Sequence, residues 1–242
     1  MNNLFKNAIN FYENKEYDKA KKVCEDILDI QPNDLNATNL LAILNFYNKD
    51  FVQSIKFFEK AIEINPNISE TYNNLGNVYY ELKQFNIAIE NYNKALKIKP
   101  NFALSYYNRA KALQEINQKQ EAISDYDKAI SINNNFSAAY KNLGNLYMEL
   151  KILNKSIYNH VQALKINPNM SYLNGTIIQS KCGLSEWANF KEDKLFLKNN
   201  ILSGKKITSP FPTILIYDSP SLQKKAIEIF VKNEFEKPKK LN

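Results

Sequence analysis

Few residues in this chain could do chemistry, and they lie far apart. His160 is the only histidine, and the two cysteines, Cys24 and Cys182, are separated by 158 positions. A thiol beside an imidazole would make a nucleophile and its base, but only in a fold that joins them. Cysteines at this separation match no metal-ligand or redox spacing. There is no glycine-rich phosphate loop and no paired set of metal ligands, so the expectation is no cofactor and no metal. Trp187, the only tryptophan, reads as a packing anchor rather than a ligand platform.

The net charge is +7, and 12 lysines against 7 acidic residues in 171–242 supply most of it. A basic chain raises the question of nucleic acid. Yet Arg109 is the only arginine, so the bidentate contacts that read phosphate and guanine are almost unavailable. A nucleic-acid partner is not expected.

One pattern does carry binding chemistry. Asn74, Asn108 and Asn142 recur every 34 residues, and three residues after each stand Asn77, Lys111 and Asn145. A carboxamide both donates and accepts hydrogen bonds. A row of them at fixed intervals suits the backbone of an extended protein segment, with little regard to its side chains. The plainer alternative is that asparagine, abundant here, coats a solvated face.

What could hold such a row in register? Residues 72–82 read YNNLGNVYYEL and residues 140–150 read YKNLGNLYMEL, 68 positions apart. Pro32, Pro66, Pro100 and Pro168 mark a period of 34, with Asn134 at the missing point. Cutting at that period gives repeats 1–34, 35–68, 69–102, 103–136 and 137–170. The eighth place is always small (Ala8, Ala42, Gly76, Ala110, Gly144). The twenty-seventh is Ile27 and then four alanines, and the thirtieth is isoleucine throughout.

Places 4, 7, 8 and 11 form one stripe of a first helix, and places 17, 20, 21, 24, 27 and 28 one stripe of a second. Proline at place 32 ends the second helix, because it has no N–H and disfavours helix in the residue before it. Place 24 reads Cys24, Phe58, Tyr92, Tyr126, His160. His160 therefore stands in for a packing ring, and Cys24 for a small buried hydrophobe. The stripe opposite the packing stripe (places 2, 5, 6, 9 and 12) holds the asparagine row. Each repeat cannot bury its apolar face alone, so stacking is required. The architecture expected is all-α, a helix–turn–helix five times over.

The 34-residue unit, with aromatic, Leu-Gly, Tyr, Ala, Tyr, Ala and Pro at these places, resembles the tetratricopeptide repeat. Residues 69–102 match at every place and 1–34 least well. The resemblance implies a right-handed superhelical solenoid that binds a protein or extended peptide along its first helices, with Asn74, Asn77, Asn108, Lys111, Asn142 and Asn145 as contacts.

Residues 171–242 lie beyond the array. Helices are expected over 172–182 and 187–202, with a break near Gly183. Pro210 and Pro212 should open an extended run, TILIY (213–217), packed irregularly because no partner strand exists. Ser219-Pro220 should start a helix to about Lys232. Cys182 to Trp187 and Pro210-Phe211-Pro212 with Asp218 to Gln223 resemble the connector ahead of the catalytic half of bacterial protein O-linked N-acetylglucosamine transferases and SPINDLY-type relatives. That resemblance implies the partner-binding portion of a UDP-N-acetylglucosamine-dependent enzyme. No residue here matches the family's catalytic or nucleotide-binding motifs, so the chain would be inert by itself. A free-standing adaptor, or a noncatalytic partner of a separately encoded transferase lobe, is the alternative. Met1 already belongs to the first repeat and no apolar run approaches 18 residues, so the expected compartment is the cytoplasm, with no membrane partner.

Overall fold

The computed structural model describes residues 2–185 and 190–234. Among the described residues there are helices and no strands. The chain forms two compact units, an N-terminal one ending at Ile132 and a C-terminal one beginning at Asn133.

The N-terminal unit is four helix pairs: α1 (Asn2–Glu13) with α2 (Tyr17–Ile30), α3 (Leu35–Tyr47) with α4 (Phe51–Ile64), α5 (Ser69–Glu81) with α6 (Phe85–Ile98), and α7 (Ala103–Glu115) with α8 (Lys119–Ile132). From α3 onward every first helix spans places 1–13 and every second helix places 17–30. Helices α2, α4 and α6 also pack on the first helix of the next pair, and α3, α5 and α7 touch in order along one face. The columns of small residues show why the pairs close so tightly. Ala8, Ala42 and Ala110 at place 8, and Ala61, Ala95 and Ala129 at place 27, are fully buried. So are the rings at place 24, Phe58, Tyr92 and Tyr126. The isoleucine column behaves differently. Ile30 is 64% exposed, because place 30 is the last residue of the second helix and lies past the packed stripe.

Two devices end the helices. At place 15, Lys15, Lys49, Lys83 and Asn117 all take a left-handed backbone with φ near 60°. The next residue then returns its N–H to the carbonyl of place 11, as Gln84 does to Tyr79 at 2.9 Å. This satisfies carbonyls that the helix end leaves orphaned. At place 31, Asn65 folds its side chain to accept the N–H of Asn67 at 3.0 Å, around Pro66. In the C-terminal unit Asn133 does the same for Asn135 at 3.0 Å. The turn therefore survives where Asn134 replaces proline.

The C-terminal unit holds the fifth pair, α9 (Ser137–Glu149) and α10 (Leu153–Ile166), followed by α11 (Leu173–Gly183), α12 (Phe190–Leu202), α13 (Pro210–Ile216) and α14 (Pro220–Glu234). The break near Gly183 and the start at Pro220 follow the expectation. Glu186, Trp187 and the tail after Glu234 lie outside the described residues. Helix α11 packs on α10, and Leu197, Ile201, Ile207, Ile216, Tyr217 and Leu222 join Ile178 in one core. Residues 205–209 strap across the start of α11, where Lys206 accepts the Tyr172 N–H at 2.7 Å and Ile207 that of Gly175 at 3.1 Å. A Cβ at Gly175 would overlap Thr208, so only glycine allows this crossing.

The TILIY run corrects the expectation of an extended, irregular segment. It lies in and just after α13, with Tyr217 as the C-cap. With no strand partner, a helix is what pairs these buried backbone groups. Pro210 opens the helix with its fixed φ. Thr213 and Ile216 then face the core while Phe211 and Ile214 face out. The β-branched composition of the run was overridden by burial on one helical face.

Candidate functional site

The first-helix face of the N-terminal unit is where polar and aromatic side chains converge. Its polar side chains are tied together in steps of one repeat. The Thr71 hydroxyl donates to Asn39 Oδ1 at 3.0 Å. One repeat later the Ser105 hydroxyl donates to Asn73 Oδ1 at 2.9 Å. In both cases a hydroxyl at place 3 is bonded to the amide at place 5 of the preceding repeat. Asn73 is 1% exposed and its oxygen also accepts from Asn108 Nδ2 at 3.1 Å.

A second set of bonds orients place 9 from within its own repeat. The Tyr92 hydroxyl donates to Asn77 Oδ1 at 2.9 Å, and a Cβ at Gly76 would come within 2.6 Å of the Tyr92 ring. Glycine at place 8 thus admits a ring at place 24, and the ring's polar tip aims the amide at place 9. The C-terminal unit repeats the arrangement with an imidazole. His160 Nε2 lies 3.0 Å from Asn145 Oδ1, and a Cβ at Gly144 would overlap the His160 ring.

The site residues expected from sequence therefore fall into different settings. Asn74 and Asn77 are half-buried and line one recess. Asn108 is 8% exposed and spends its amide on Asn73, within the stack rather than on open surface. Lys111 stands with its ammonium 4.4 Å from the Tyr80 ring centroid and 6.0 Å from that of Tyr107. In the C-terminal unit, Asn142 is half-buried, and exposed Asn145 faces His160.

The recess at Asn74 and Asn77 has a volume of about 240 Å³ and is lined also by Tyr12, Ile43, Phe46, Tyr47 and Phe58. It draws on α1, α3 and α5, with Phe58 of α4 beneath. The Tyr47 ring, half exposed, stacks on Tyr17 at 5.6 Å and meets Tyr12 at 6.1 Å. Tyr12 and Tyr47 hold hydroxyl to hydroxyl at 3.5 Å. Burial, and then that bond, push the Tyr12 phenol well above its ordinary range. Each amide oxygen already accepts one hydrogen bond. That of Asn77 is taken by Tyr92, and that of Asn74 accepts from Asn73 Nδ2 at 3.3 Å. Beyond these bonds the two amides offer N–H donors and the second lone pair of each oxygen. Reading places 6 and 9 alone missed the rings. The signal was in place 12, on the same stripe, which reads Tyr12, Phe46, Tyr80.

The residues able to do chemistry take structural roles. His160 is fully buried at place 24, and burial pushes its imidazole down to about 4. Cys24 is buried, and burial pushes its thiol up to about 12, which removes the thiolate that reactivity needs. The two lie in different units. Arg109 occupies place 7, where the neighbouring repeats have leucine. Its guanidinium meets both oxygens of Asp125 at 2.6 Å and Asn93 Oδ1 at 2.5 Å, so it bonds both second helices that flank it. Among the described residues no group of His, Cys, Asp and Glu is placed to hold a metal ion, and no helix is long and apolar enough to cross a membrane.

Comparison with known proteins places this architecture. A family model described as TPR repeat matches residues 76–117, and models described as tetratricopeptide repeat match 57–90 and, separately, 37–68 and 103–136. No curated protein matches the sequence. Among solved structures, PilF of Pseudomonas aeruginosa is 14% identical with a TM-score of 0.73, over 82% of this chain and 90% of that one. PilW, described as a widely conserved type IV pilus biogenesis factor, is 20% identical with a TM-score of 0.71, over 92% of this chain and 96% of that one. YrrB, described as a TPR protein with an unusual peptide-binding site, is 17% identical with a TM-score of 0.55, over 69% and 86%. At these identities the likeness is one of fold. Residues 37–136 are tetratricopeptide repeats, and the chain has the all-α fold of a helical-repeat solenoid.

Proposed function

We propose that this chain is a protein-binding scaffold whose first-helix face in the N-terminal unit receives an extended segment of a partner. The observation that carries this is the recess where the Asn74 and Asn77 amides, their oxygens already engaged, stand beside exposed aromatic surface. N–H donors beside apolar surface suit a peptide, which supplies carbonyl acceptors and side chains together. Residues 1–170 act as the binding array and 171–242 as its helical extension. The cytoplasm remains the proposed compartment.

The finer assignment, to the partner-binding portion of a protein O-linked N-acetylglucosamine transferase-like enzyme, rests on the sequence of residues 182–223. The free-standing scaffold is favoured by the core that α11–α14 close among themselves, with Leu197 and Ile201 almost fully buried.

Selection of a random twelve-residue peptide library on the full chain tests the proposal. Peptides should be recovered that bind saturably in fluorescence polarisation, and Asn74→Ala should weaken them with a melting temperature within about 2–3 °C of the parent. Recovery of no binding peptide would count against the scaffold function.

A further inference from the structure

We infer that the recess between α1, α3 and α5 is an anchor pocket for one bulky, uncharged side chain, aromatic or branched aliphatic, carried by an extended segment of a partner protein. This inference rests on the peptide-binding role proposed above and names what is read there. Size makes the first argument. At about 240 Å³ the recess is smaller than pockets that enclose a drug-sized molecule or cofactor, which run from about 300 to 1,000 Å³. One large side chain is the occupant of matching scale.

Charge makes the second argument. Tyr12, Ile43, Phe46, Tyr47, Phe58, Asn74 and Asn77 include no charged group, so an ionic side chain entering there would lose hydration without gaining a counter-charge. Polar complementarity makes the third. Asn77 Oδ1 is held by the Tyr92 hydroxyl and Asn74 Oδ1 by Asn73 Nδ2. Each bond fixes the orientation of its amide, and the N–H groups of Asn74 and Asn77 can donate to the carbonyl oxygens flanking the anchor. The rings that give the pocket its walls are pre-set by their own contacts. Tyr47 stacks on Tyr17, and Phe46 packs on Phe51 at 5.9 Å. Ordering them on binding therefore costs little. Asn108, spent on Asn73, does not take part in reading the ligand.

The peptides selected from the random library on the full chain decide the matter. Their aligned sequences should share one position rich in Phe, Tyr, Trp, Leu or Ile and poor in charge. Replacing that residue by Ala in a synthetic peptide should weaken binding at least tenfold. Tyr47→Ala and Asn74→Ala should each weaken the same peptide about five- to tenfold, with melting temperatures within 2–3 °C of the parent, as expected of substitutions away from the core. Asp125→Asn, on the opposite helices, should leave affinity unchanged. Peptides that bind but share no apolar position, or bind the Tyr47→Ala chain as tightly, would overturn the anchor while leaving the scaffold function standing. Recovery of no peptide would overturn both. Sedimentation showing self-association that Tyr47→Ala abolishes would assign the recess to a second copy and overturn the anchor as well.

Discussion

At the scale of single residues, the side chains that invited a catalytic reading are packing elements with a polar tip. His160 fills the place of Tyr92 and Tyr126 and, like Tyr92, reaches the amide at place 9. Its depressed pKa has a consequence for stability. The imidazole takes up a proton near 6.5 when unfolded but only near 4 when folded, so acid favours the unfolded chain. This contribution is complete above about pH 6.5 and is lost as the pH falls toward 4, by about 3 kcal/mol. His160→Tyr should remove it. In urea melts the parent should lose stability relative to the variant between pH 6.5 and 4, and parallel pH profiles would contradict the assignment. Asn73 supplies a second test. Its oxygen accepts from both Ser105 and Asn108, so Asn73→Ala leaves two donors unpaired and should cost about 1–3 kcal/mol. The same bond means that Asn108→Ala should lower stability. Asn74→Ala should lower it by less, because Asn74 is only half-buried and its longer bond from Asn73 Nδ2 can be replaced by water. Sequence spacing alone could not separate the two, because both occupy place 6 and only the depth of the neighbouring repeat distinguishes them.

At the scale of elements, the 34-residue columns were legible almost to the residue. Small residues at places 8 and 27 and rings at place 24 are imposed by helix–helix distance, and sequence records such constraints directly. The link between place 3 and place 5 of adjacent repeats was not legible as a bond, although Asn39–Thr71 and Asn73–Ser105 are both present in the sequence. Nor was the turn at place 15. Lysine there gives no sign of a left-handed backbone, which side chains with a Cβ adopt at a cost. Lys83, at φ 59°, should gain from glycine. Lys83→Gly should raise stability by about 0.5–1 kcal/mol, the steric relief exceeding the added freedom of the unfolded chain. A lower melting temperature would show that the lysine stem contributes packing that outweighs its strain. The helical TILIY segment was illegible for a different reason, because its composition favours a strand and only tertiary burial decides against one.

At the scale of the whole molecule, the chain devotes its helix faces to packing and to a polar, aromatic surface. Transfer of a sugar from a nucleotide needs preorganised donors or cations at the leaving diphosphate, and no residue of this chain matches a motif for that role. The purified chain should therefore neither bind UDP in calorimetry nor transfer N-acetylglucosamine to protein. Micromolar UDP affinity, or turnover above a boiled control, would place the function away from the first-helix face. The central claim is more direct, that a partner segment lies on the first helices of the N-terminal unit. Hydrogen exchange read by mass spectrometry, with and without a saturating library-selected peptide, measures this on the full chain. New protection is expected in α1, α3 and α5, around Tyr12, Phe46, Tyr47 and Asn74, with α2 and α6 unchanged. Protection confined to the second helices or to α11–α14 would contradict the account.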